Sequence, residues 1–560
     1  MSDVRLTPAS SASQDVALPQ PVSRRQMLRL ALAGAGIVAT GPVLARTGLL
    51  SGDPAVVRQD VIPGVISKPA PFAGPSVPKF ERDLVLPAVL APTTTRTNPD
   101  GKQVKVYDLE HKVSTAQILP VPFPATEIWG YNGTLPGPTI KQQRYGALTE
   151  VRNKNSLPAG HPYSMHLHGS PSQPFFDGHP DDLTQVGATK TYKYPNSQEA
   201  RTLWYHDHAI HQTAEHVYKG LAGFFIQQPA AAEIDRYSLN NLPSGEYDVP
   251  LMVGDLQFDE RGNIAYDDKG HDSLWGNVNV VNGKAFPYMD VDRTSYRFRM
   301  LVASVSRSYN FALSNGQAIT VIGSDAGLLP SPVPVKSYRH GMAERYDVVI
   351  DFSKLAVGTK VTLLNTTTDG DMRQVMQFVV GSKAVTSKPL PAKLNDVVFP
   401  AESAVAVTRE FKFDRTNGLW AINGLTWDGS IAATPKVGTT EKWILRTNGG
   451  GWFHPVHIHL VDFQILRRNG QPALPYEKGW KDVVYVGRGE SVELLMTFHE
   501  PEKIDPTKPT LGKFVMHCHN LVHEDHDMMN QFEIHGGHGD AVAARASMPP
   551  AMMVQWSLEA

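Results

Sequence analysis

The chain has 560 residues, 41% of them hydrophobic and 19% charged, which excludes a small single-core protein and suggests three or four domains. With 53 Lys and Arg against 55 Asp and Glu, the formal charge is −2; no basic surplus is left to neutralise phosphates, so no nucleic-acid partner is expected. A single cysteine rules out an intrachain disulfide, and 46 Gly with 43 Pro fit sandwiches built from many short strands, an all-β class.

Near the N-terminus, Ser23-Arg24-Arg25-Gln26-Met27-Leu28 precedes an apolar run from Leu30 to Ala45 that closes on Val43-Leu44-Ala45. A charged, an apolar and a small-residue segment in that order predict a twin-arginine export signal over residues 1–45. The mature chain is therefore expected to be exported, periplasmic or secreted, with the twin-arginine machinery as a partner. The run carries Gly34, Gly36, Gly41 and Pro42 and falls short of the roughly 20 residues a bilayer needs, so no stable membrane insertion is expected.

Residues 46–100 are rich in Pro, Val and Ala without periodicity and are expected to form an extended arm. Strand signals then open with the alternation Gln103-Val104-Lys105-Val106-Tyr107-Asp108-Leu109 and continue through Ile128 to Ile140, broken by turn residues. A first domain over 101–232 carries two short apolar strands, Ser164-Met165-His166-Leu167-His168 and Leu203-Trp204-Tyr205-His206-Asp207-His208. Histidines at i and i+2 share one face of a strand, about 7 Å apart. A second domain over 233–386 repeats the strand-and-turn pattern but holds only His271 and His340, isolated from each other, and is expected to bind no metal. A third over 387–537 carries Phe453-His454-Pro455-Val456-His457-Ile458-His459 and Met516-His517-Cys518-His519-Asn520-Leu521-Val522-His523-Glu524. Residues 538–560, with Met548, Met552 and Met553, are expected to be a flexible tail.

Ten of the 21 histidines fall in these four clusters. One His-x-His pair is weak evidence, since alternation puts any two polar residues on a solvated face; four pairs on apolar strands indicate metal ligation. Cys518 projects to one face of its strand while His517 and His519 project to the other, so one strand serves two sites. Cys518, His523 five residues on and Met528 ten residues on supply a thiolate, an imidazole and a weak thioether, which with one more His suit a blue-copper electron-transfer centre. His454 sits three residues before His457 and so points away from the face that His457 and His459 share. Eight histidines remain, enough for three coppers with open positions for a small ligand such as O2. Zinc, which has no redox chemistry, would not need a cysteine strand between two sites. His211, His216 and His526 lie off the period and are expected outside the metal sites.

The segments His517–Met529, His454–Phe463 and Glu477–Val484 resemble the multicopper oxidases, and most of all the bacterial spore-coat laccases and bilirubin oxidases; the resemblance covers residues 100 to 535. It implies three cupredoxin-like Greek-key β-sandwich domains and four copper ions per chain. By that resemblance His454, Cys518, His523 and Met528 form a type 1 site, and His166 with His457 a type 2 site. One type 3 copper falls to His168, His206 and His519, the other to His208, His459 and His517. Phenols, aromatic amines or tetrapyrroles such as bilirubin would give electrons singly to the type 1 copper. Cys518 would pass them through its backbone to His517 and His519, where O2 is reduced to water. Asp177 and Glu524 match acidic positions that the family places around its water channels and are expected to supply protons, and Trp452 matches a tryptophan beside the type 1 copper of bilirubin oxidases. A metallo-oxidase of Cu(I) or Mn(II) and a non-catalytic copper-binding or electron-transfer protein are the alternatives. No methionine-rich insert of the cuprous oxidases is visible.

Overall fold

The computed structural model describes residues 74–269, 272–448 and 452–536. The expected export signal, His271 and the tail methionines lie outside the described residues. Strands dominate and pair into six sheets, two to each of three cupredoxin-like sandwiches. In the first, a five-stranded sheet around Gln103–Ala116 faces a four-stranded sheet ordered Gly137–Gln143, Ala222–Gln228, Thr202–Asp207, Met165–His168. The second packs a seven-stranded sheet containing Arg345–Asp351 on a five-stranded one. The third packs six strands around Thr440–Thr447 on five, ordered Ile431–Ala433, Met529–Glu533, Lys513–Cys518, His454–Ile458, Val483–Val486.

The first sheet starts before the expected boundary at residue 101. Thr94–Thr97 pairs antiparallel with the start of Gln103–Ala116 across Asn98-Pro99-Asp100-Gly101. Gly101 takes a φ of +82° there, the left-handed value that glycine adopts without a Cβ penalty. The preceding chain runs extended, bonding Leu84 N to Tyr288 O (2.7 Å) on the second sandwich and Leu90 N to Thr139 O (2.8 Å) on the first. No helix among the described residues is long and apolar enough to cross a membrane.

The four histidine-bearing strands are buried on both faces. Leu167, Leu203 and Tyr205 pack into the core of the first sandwich, and Val456, Ile458, Met516, Cys518 and Met528 into that of the third. Burying each such side chain contributes about 1.5–3 kcal/mol. The opposite faces of these strands meet across the junction of the first and third sandwiches, and the histidine pairs lie there.

Candidate metal centres

Register places the first centre. His454–Ile458 pairs with Lys513–Cys518 so that Val456 lies opposite Cys518, and His454, two residues earlier, shares that face. After Cys518 the short helix Leu521–Asp525 folds His523 back over the sulfur. His454 Nδ1 stands 3.3 Å from Cys518 Sγ, His523 Nδ1 3.6 Å from it, and the two nitrogens are 3.3 Å apart. Met528 is buried in the same core cluster. Its carbonyl accepts from Cys518 N (3.1 Å) and its N–H donates to His523 O (2.9 Å), so it lies against both residues. His523 donates from Nε2 to Asp272 O (2.7 Å), which leaves the Nδ1 lone pair facing the sulfur. Burial pushes the Cys518 thiol up and the His454 imidazole down to about 3, so a thiolate here requires a cation beside it. An N2S triangle of neutral donors in an apolar core fits a soft metal ion.

Eight histidines form the second group. His166 lies opposite His206 on adjacent strands of the first sandwich, and His457 opposite His517 on the third. The Nε2 atoms of His208, His459 and His517 stand 3.2, 3.2 and 3.4 Å apart. The centre of such a triangle is about 1.9 Å from each nitrogen, close to a metal–imidazole bond. His168, His206 and His519 form another triad with ligand atoms within 4.8 Å of one another, and His166 Nε2 faces His457 Nε2 at 3.3 Å. The ligand atoms of His166, His168 and His457 also lie within 4.8 Å of one another, as do those of His166, Asp177 and His459, so the triads adjoin in one cluster.

Most of these rings are anchored through Nδ1. His166 donates to Asp177 O (2.6 Å), His206 to Asp207 O (2.7 Å), His457 to Asp482 O (2.8 Å) and His459 to Asp177 Oδ2 (2.8 Å). Glu524 straddles two more, with Oε2 2.8 Å from His517 Nδ1 and Oε1 3.3 Å from His208 Nδ1. His168 differs, its Nε2 lying 3.1 Å from Asp482 Oδ1. Burial, reinforced by the neighbouring imidazoles, holds His166, His168, His208, His457, His459 and His519 well below the usual histidine range, in the neutral form that ligates metal. Among the described residues, His206 Nε2 and both ring nitrogens of His519 are buried without a hydrogen-bond partner. Buried polar atoms are seldom left so, and metal ions would satisfy them.

The structure thus brings together every histidine of the four clusters, with Cys518 and Met528, in two adjoining groups. Asp177 and Glu524 each touch two of the histidines. Trp452 stands edge-on to His523 at 5.4 Å. His216 instead pairs with Asp207 (2.6 Å), His211 with Asp525 O (2.8 Å), and His526 lies 3.5 Å from Asp268. Three features escaped sequence reasoning. Trp420 stacks on His523 with centroids 3.6 Å apart, Arg415 lies 4.5 Å over Trp420 and pairs with Asp272 (2.8 Å), and Asp482 touches His168 and His457. Only Asp482 carried a signal, standing inside the Glu477–Val484 segment; Trp420 and Arg415 lie on strands that carry no histidine.

Two segments, residues 112–231 and 400–537, match family models described as multicopper oxidase. The chain is 41% identical over 488 residues to a bilirubin oxidase of Albifimbria verrucaria, spanning 82% of each protein. To a laccase of Bacillus subtilis (strain 168) it is 33% identical over 524 residues, spanning 80% of this chain and 98% of the relative. Among solved structures, a laccase from Pediococcus acidilactici superposes with a TM-score of 0.72 at 28% identity, covering 83% of this chain and 95% of that one. A multicopper oxidase from the hyperthermophile Aquifex aeolicus gives 0.70 at 27%, covering 81% and 100%. With the two histidine groups and the cysteine strand that joins them, these similarities establish that the chain belongs to the multicopper oxidase family, copper-binding oxidoreductases with O2 as acceptor.

Proposed function

We propose that the chain binds four copper ions and oxidises phenols, aromatic amines or tetrapyrroles one electron at a time, reducing O2 to water. The type 1 site is His454, Cys518, His523 and Met528, and the type 2 site His166 and His457. The type 3 pair belongs to His168, His206 and His519 and to His208, His459 and His517. One observation carries the reading: Cys518 stands between His517 and His519 on a single strand, so its sulfur faces the mononuclear group while its neighbours face the eight-histidine group. Copper, when bound, supplies one-electron transfer and the means to bind and reduce O2.

The chain's own part is to position, relay and protonate. The bonds from Cys518 Sγ through the backbone to the flanking rings form the shortest covalent link between the groups. His523 is wholly buried, so a donor docks on the layer above it, against the partly buried Trp452 and the Arg415–Asp272 pair beside Trp420. Aromatic donors suit such a surface through stacking and cation–π contact. Burial pushes the Asp177 carboxyl well above the usual range, and its Oδ1 has no hydrogen-bond partner among the described residues, which suits that oxygen to hold a proton. Glu524 holds the equivalent place beside His208 and His517.

Copper analysis, the visible spectrum and O2 uptake with a phenolic donor test the proposal together. Four coppers, a blue colour and O2 consumption are expected; one copper or none after loading would refute the ligand assignment, and full copper without turnover on any organic donor would refute the substrate class. Export through the twin-arginine pathway rests on the order of segments in residues 1–45. Replacing Arg24 and Arg25 by Lys should retain the protein in the cytoplasm, and unchanged fractionation would refute it.

A further inference from the structure

The second sandwich contributes no histidine to either group, yet one of its side chains reaches both other sandwiches beside the eight-histidine group. Arg345, the first residue of the strand Arg345–Asp351, is wholly buried and clamps Asp482 through two parallel bonds, Nη1 to Oδ1 (2.6 Å) and Nη2 to Oδ2 (2.5 Å). Its remaining donors reach Thr202 O from Nε (2.9 Å), Ala343 O from Nη1 (3.1 Å) and Asp325 O from Nη2 (3.1 Å). All five guanidinium N–H groups are thereby used, with Thr202 on the strand that carries His206.

Asp482 carries the clamp to the histidines. Its carbonyl accepts from His457 Nδ1 (2.8 Å) and its Oδ1 lies 3.1 Å from His168 Nε2, so one residue touches a ring from each flanking sandwich. Asp325 holds the same segment from behind, accepting at Oδ2 from Val483 N (3.1 Å) and at Oδ1 from Arg345 N (2.7 Å). The residue after His168 must be small here. A Cβ on Gly169 would stand 2.6 Å from Asp482 Oδ2 and 2.7 Å from Arg345 Nη2, and its φ of +88° favours glycine independently.

We infer that Arg345, through Asp482, is a positioning residue for the O2-reducing site, fixing His168 and His457 in register across the junction of the sandwiches. The inference rests on the proposed assignment of those two histidines as copper ligands. A lysine cannot replace the arginine, because three donors on one point cannot span a carboxylate and three separate carbonyls. The other buried cations nearby are engaged elsewhere, Lys481 by Asp325 (2.9 Å) and Glu344 (3.0 Å) and Arg201 by Asp462 (2.7 Å).

The test is Arg345→Lys in the copper-loaded full chain, read by the type 2 EPR signal, copper retained against a chelator, and the blue absorption of the type 1 site. Expected are an altered type 2 signal and about 10- to 100-fold weaker copper retention, the usual effect of losing a partner behind the ligands. The blue absorption should persist, since Cys518, His454 and His523 face the other way, and it reports that the chain has folded. A variant that melts earlier but keeps the wild-type type 2 signal and retention would reduce Arg345 to interdomain packing and overturn the inference. Should Arg345→Lys yield no blue protein, the isosteric Asp482→Asn is measured in the same way: an altered type 2 signal with weaker retention supports the inference, and wild-type values overturn it. Wild-type protein lacking three coppers besides the blue one would instead overturn the ligand assignment, and this inference with it.

Discussion

His111 gives the prediction whose magnitude follows most directly from the structure. It lies in the sheet around Gln103–Ala116, fully buried, with its ring edge-on to Tyr163 at 3.6 Å and 5.4 Å from Tyr131. Neither ring nitrogen has a hydrogen-bond partner among the described residues. Burial drives its pKa from 6.5 down to about 3. Between those values the unfolded chain binds a proton that the folded chain refuses, so stability is fully present above pH 6.5 and falls as the pH is lowered towards 3. At about pH 4.5, two units below the unfolded value, the loss is about 3 kcal/mol. His111→Phe keeps an aromatic ring against Tyr163 and removes the titration. Any packing cost is common to every pH and cancels in the comparison. Calorimetry of wild type and variant at about pH 7.5 and about pH 4.5 should show the variant losing about 3–10 °C less in melting temperature, the lower figure for three sandwiches melting together and the higher for the first melting alone. Equal losses in the two proteins would show that His111 is not held neutral.

Met528→Leu removes the thioether beside Cys518 and should raise the type 1 potential in a redox titration; an unchanged potential would refute the axial role. Trp420→Ala takes away the ring stacked on His523 and should cost about 3–5 kcal/mol in denaturation, with slower phenol oxidation at full copper loading. Trp420→Phe, which keeps a ring, should restore much of that turnover, and equal rates in the two variants would argue against the stack as the path to His523. Glu524→Gln keeps the shape beside His208 and His517 but not the ionisable proton, and should slow O2 reduction by about 10²-fold or more. Wild-type turnover across pH with copper intact would refute the proton role.

The candidate ligand residues were legible in the sequence because strand alternation fixes which side chains share a face. Four His-x-His patterns on apolar strands, and a cysteine between two histidines, specify two faces of one strand without any knowledge of the fold. The all-β class followed from the same alternation and from the turn-residue content. Pairing between distant strands was not legible: nothing local sets Val456 opposite Cys518, which meet only when two remote strands join in one sheet of the third sandwich, or His208 against His459, which meet only when the first and third sandwiches close on each other. Trp420 and Arg415 stayed hidden for the same reason, since their strands carry ordinary sandwich patterns and meet His523 only in three dimensions. Arg345 shows the limit most plainly. Its sequence setting, Arg345-Tyr346-Asp347-Val348-Val349, is that of a strand in a sandwich without histidine clusters, and its five donors acquire partners only where three sandwiches converge. The sequence by itself therefore determined the donor atoms and the faces they occupy. The tertiary structure decided which donors meet, because distance across a domain junction is set by the packing of whole sheets and not by any residue's neighbours along the chain.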